Sequence, residues 1–68
     1  MNEEHLNIEI RKFLKKVGIS SQRLLENHIK ESINTGKLKI GEVVELEMKL
    51  TIKNPIKEHL ISDNIKID

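Results

Sequence analysis

The residues able to do chemistry in this chain are few and scattered. Three histidines, His5, His28 and His59, fall in three separate stretches with no ligand-like spacing, so neither a metal site nor a general-base pair is implied. Cysteine is absent, which excludes thiolate chemistry and disulfides. No glycine-rich phosphate loop, nucleophile elbow or paired-carboxylate motif occurs. The expectation is a non-enzyme without cofactor or metal. What remains is binding chemistry, and two groups of polar residues could supply it. Ser21, Gln22, Arg23, Asn27 and Lys30 would share the outer face of a helix, and Gln, Arg and Asn are suited to reading base edges. Arg11, Lys12, Lys15 and Lys16 form a basic cluster able to meet phosphate or an acidic membrane surface. It lacks the interleaved aromatic residues of a single-strand binding platform.

The elements that position these groups follow from hydrophobic period. Leu6, Ile10, Phe13, Leu14 and Val17 recur at spacings of three and four, which predicts an amphipathic helix over residues 3–17 with Asn2 as its N-cap. Ile8 lies off that stripe. Leu25, Ile29 and Ile33, widened by Leu24, His28 and Ser32, predict a second helix over 21–34, closed by Thr35 and Gly36. Between them, Val17-Gly18-Ile19-Ser20-Ser21 reads as a tight turn. Gly18 can adopt the left-handed conformation, and Ser20 or Ser21 can cap the helix that follows. The arrangement is similar to a helix-turn-helix, with a glycine turn before a serine-capped second helix.

After a connector at 37–41 the period changes to two. Val44, Leu46, Met48, Leu50 and Ile52 alternate with polar residues, which predicts a strand over 43–53 stopped by Asn54-Pro55. The tail supports two readings. In one, Pro55 starts a helical turn covering 56–60, Asp63-Asn64 makes a turn, and Ile65–Asp68 forms a short second strand. In the other, residues 60–67 form a tight hairpin around Asp63-Asn64. The expected fold is therefore α+β: a helical hairpin packed on a small antiparallel sheet, order α-α-β-β, in a single domain spanning 1–68.

Composition bounds the assembly. Sixty-eight residues with a net charge of +1 give a small core and no strong overall field. Eleven isoleucines and eight leucines make that core bulky, but neither disulfide nor metal staples it. The long strand would also outrun its short partner and leave an edge bare. Antiparallel self-pairing centred on Met48 sets Glu47 against Lys49 twice, Val44 against Ile52 and Leu46 against Leu50. A homodimer is expected on these grounds. The start of the chain has no signal-peptide character and no apolar run is long enough to span a bilayer, which points to the cytoplasm.

The run from Leu6 to Arg23, LNIEIRKFLKKVGISSQR, resembles the opening of a family of very small bacterial proteins of unknown function. Gly36-Lys37-Leu38-Lys39 and the alternating strand also fit, so the resemblance covers nearly the whole chain. The family usually carries an acidic residue where this chain has Leu24, and the capping box that Ser21 would complete is missing here. The resemblance implies no activity. The function expected is a non-catalytic interaction module with an unidentified macromolecular partner. The alternative is a small winged helix-turn-helix protein that binds DNA through Ser21, Gln22, Arg23, Asn27 and Lys30.

Overall fold

The computed structural model describes residues 1–68 and has the order α1 (Glu3–Asn34), β1 (Val43–Lys53), β2 (Ile56–Lys66). It divides into two units, Met1–Lys37 and Leu38–Asp68.

The first unit is one helix of 32 residues, about 48 Å long at 1.5 Å per residue. Asn2 caps it as expected, its Oδ1 accepting the His5 backbone N–H at 3.1 Å, with Glu3 and Glu4 in the anion-favouring first turn. The far end closes on Gly36 at φ +78°. The Gly36 N–H donates to the Ile33 carbonyl at 3.1 Å and the Lys37 N–H to that of Ser32 at 2.9 Å. This pair of bonds is a Schellman motif, and it needs a residue tolerant of the left-handed region.

The expected helical hairpin is not formed. The helix runs unbroken through Val17-Gly18-Ile19-Ser20-Ser21, and Gly18 is not among the glycines with positive φ. Neither Ser20 nor Ser21 is a cap. The physical reason is helix propagation, which outweighs a mismatch of phase between the two stripes. At 3.6 residues per turn, the stripe Leu6–Val17 and the stripe Leu25–Ile33 point about a third of a turn apart. A turn at Gly18 would realign them, and a continuous helix leaves them on different sides. An interior glycine costs only about 1 kcal/mol relative to alanine, and no proline interrupts the segment, so the helix propagates. The helix-turn-helix loses its turn for the same reason.

The second unit is a β-hairpin. β1 spans the expected residues, and Asn54-Pro55, joined by a cis peptide bond, forms the two-residue loop. The tail corrects both readings made for it. β2 is a full strand of eleven residues that pairs with β1 from Lys53↔Ile56 to Val43↔Lys66. There is no helical turn at 56–60 and no turn at Asp63-Asn64, which lies within the strand, with Asp63 Oδ1 accepting the Asn64 N–H at 2.7 Å. The strand was hard to read because its alternation is broken. Lys57, His59 and Asp63 sit opposite Ile52, Leu50 and Leu46, and the apolar Ile56 and Leu60 fall on the other face. Pairing with β1 supplies the order that the local pattern lacks.

The hairpin entrance is built by the connector. The Glu42 N–H donates to the Lys39 carbonyl at 3.1 Å, and the Glu42 Oε1 accepts the Lys39 N–H at 3.1 Å. Gly41 lies at φ +94°, the conformation that the third position of a type II turn requires. Gly41 N–H donates to the Ile67 carbonyl and Ile67 N–H to the Glu42 carbonyl. Two residues thus oppose one, as in a β-bulge whose first member is a left-handed glycine. Ile67, held by both bonds, is the one buried residue of the chain, at 8% exposure.

Candidate interaction surfaces

Directly opposed residues of a hairpin share a face. One face of this sheet carries Val44, Leu46, Met48, Leu50 and Ile52 from β1, with Ile61 and Ile65 from β2. Val44, Leu46 and Leu50 are half-buried, while Met48, Ile52, Ile61 and Ile65 are exposed. The opposite face is wet, and Lys49 there pairs with Glu58 at 3.3 Å. Both side chains are more than half exposed, so the pair adds little stability, about 0–1 kcal/mol.

The two strands differ in what they present at their free edges. The sheet has two strands, so each is paired on one side only. β2 places Lys57, His59 and Asp63 among the apolar side chains, and charges on an apolar face are one of the devices that discourage edge pairing. β1 has no such residue on that face. Its wet face carries Glu45, Glu47, Lys49, Thr51 and Lys53, and reversal of the strand about Met48 sets Glu47 against Lys49. The expected strand residues Val44, Leu46, Glu47, Met48, Lys49, Leu50 and Ile52 are therefore all in β1. The signal that sequence reasoning missed is the set of charges on β2, which appears only once the register is known.

On the helix, no residue is buried. Leu6, Ile10, Phe13 and Leu14 stay exposed, whereas Val17, Ser21, Leu25, Ile29 and Ile33 form a half-buried line at every fourth position. Of the residues proposed for reading DNA, Ser21 belongs to that half-buried line. Gln22, Arg23, Asn27 and Lys30 are exposed, and Gln22 Nε2 donates to Glu26 Oε1 at 2.9 Å. The helix does place them along one side, but without the turn that would present them as a separate recognition helix. Lys12, Lys15, Lys16, Ile19, Ser20 and Arg23 line an open depression on the basic side. Lys12 Nζ reaches Glu9 Oε1 at 3.4 Å. No group of three or more His, Cys, Asp or Glu side chains is placed to hold a metal ion. No helix is long and apolar enough to cross a membrane.

A family model described as "Family of unknown function (DUF6494)" matches residues 1–68, the whole of the chain. The chain belongs to that family. The resemblance read from Leu6–Arg23 and from Gly36 onward is thereby established as a match to a small domain of unknown function, and membership assigns no activity. No curated protein and no solved structure matches the chain.

Proposed function

We propose that this protein is a non-catalytic interaction module that works as a homodimer, joined by antiparallel pairing of β1 with β1 of a second copy. The observation that carries this reading is the unpaired edge of an eleven-residue strand that bears an unbroken apolar row. An isolated two-stranded hairpin is marginal in water, and three or more strands with an apolar face are needed for independent stability. Pairing about Met48 yields a four-stranded sheet, β2-β1-β1-β2. Glu47 then faces Lys49 of the second copy at two symmetric places. Leu46 meets Leu50, and Val44 meets Ile52, on the apolar face. The seam is isologous, so assembly stops at two copies. The charges on the apolar face of β2 discourage further addition at the outer edges.

The scattered histidines support a non-enzymatic role, and the absence of cysteine is in keeping with a reducing, cytoplasmic setting. Sedimentation equilibrium from micromolar to millimolar concentration tests the assembly. The weight-average mass should rise from 7.9 kDa toward twice that value. Glu47→Lys sets a cation against each Lys49 and should weaken association by about tenfold or more, because like charges directly opposed destabilise a strand pair. A wild-type monomer persisting at millimolar concentration refutes the reading.

A further inference from the structure

The N-terminal half of α1 combines two features that the strand seam does not use. From Ile10 to Leu25 the helix carries Arg11, Lys12, Lys15, Lys16 and Arg23 and no carboxylate, with Glu3, Glu4 and Glu9 before this stretch and Glu26 after it. Along the same half, Leu6, Ile10, Phe13 and Leu14 form an exposed apolar stripe that includes the one aromatic residue of the chain. Helical geometry puts Arg11 along one border of the stripe and Lys16, beside the Lys12-paired Glu9, along the other, with Lys12, Lys15 and Arg23 on the far side.

We infer that this half of α1 is a docking surface for an anionic lipid bilayer, lying in the interfacial plane with Phe13 and Leu14 inserted between headgroups. The occupant follows from complementarity on both counts. Apolar side chains enter the acyl boundary, while long cationic side chains at the borders extend to lipid phosphates. The remaining cations add attraction to the negative surface. A nucleic acid would engage the cations but leave the stripe without a partner, and the cationic side offers no aromatic ring for base stacking. A second copy of this helix is disfavoured, because Arg11 on one border would meet Lys16 on the other. Antiparallel pairing centred between Phe13 and Leu14 sets Arg11 against Lys16 on each side.

The experiment is co-sedimentation of the full chain with two kinds of vesicle: phosphatidylcholine alone, and phosphatidylcholine mixed equally with phosphatidylglycerol. Retention on the anionic vesicles should exceed that on neutral ones by about tenfold and should fall as salt rises toward 1 M. Lys15→Glu with Lys16→Glu should abolish the preference while leaving the helical circular dichroism intact. Phe13→Gln should lower retention on both vesicle types. Equal retention on neutral and anionic vesicles overturns the inference, as does retention of duplex DNA but of neither vesicle. It also fails if Phe13→Gln alters the sedimentation mass of the vesicle-free protein while vesicle retention is unchanged, because the stripe would then be a seam between chains. The inference stands apart from the strand dimer: Glu47→Lys tests that seam and should leave the anionic preference in place.

Discussion

Two glycines of α1 and its end should respond to the same substitution with opposite sign. Gly18 lies inside the helix at a helical φ, and a Cβ built there meets no atom within 4 Å. Gly18→Ala therefore introduces no clash. It reduces the conformational freedom of the unfolded chain and removes the helix penalty of glycine, which amounts to about 0.5–1 kcal/mol in favour of the variant. Gly36 also has open space around its Cβ position, but its φ of +78° is a conformation that an L side chain occupies at a cost. Gly36→Ala should therefore lose roughly 1 kcal/mol. Urea denaturation followed by circular dichroism at a helix wavelength reads both. For a protein of this size, 1 kcal/mol corresponds to a shift of about 4–8 °C in melting temperature. The pair separates a continuous helix from a helical hairpin, because in a hairpin both glycines would be left-handed caps and both alanines would destabilise. A lower midpoint for Gly18→Ala would refute the continuous helix.

Two further substitutions probe local bonds. Asn2→Ala removes the acceptor of the His5 N–H and should cost about 1 kcal/mol of helix stability, seen as faster amide exchange over the first turn. Glu42→Ala removes the acceptor of the Lys39 N–H at the hairpin entrance, and it should destabilise the second unit by about 0.5–1.5 kcal/mol, with the Lys39 amide resonance among the most displaced.

Elements governed by local chemistry were legible in the sequence. Asn2 as a cap, Gly36 as a helix terminator and the alternation from Val44 to Ile52 each rest on a few neighbouring residues, and each is found where expected. Elements governed by competition were not. The Gly18 segment offers a plausible turn, but a turn must outcompete helix propagation, and one interior glycine is a small obstacle in 32 residues. The length of β2, expected only as a short strand from Ile65, was missed for the converse reason. Its own pattern is irregular, and Pro55 suggested a helix start, whereas the long β1 supplies the partner that makes residues 56–66 a strand. Pairing between segments is nonlocal, and local patterning does not encode it.

The same distinction governs the surfaces. The self-complementary order of β1 about Met48 is a property of one strand and was visible before the fold. A short partner was expected to leave part of one edge bare, but β2 covers one side of β1 along its full length. It is the second side of β1 that the two-stranded sheet leaves unpaired, and there β1 contrasts with β2. Lys57, His59 and Asp63 interrupt the apolar face along the outer strand, whereas β1 offers an unbroken apolar row beside its open edge. Edge protection is thus present on one strand and not the other, and that asymmetry favours β1 over β2 as the seam of the proposed dimer.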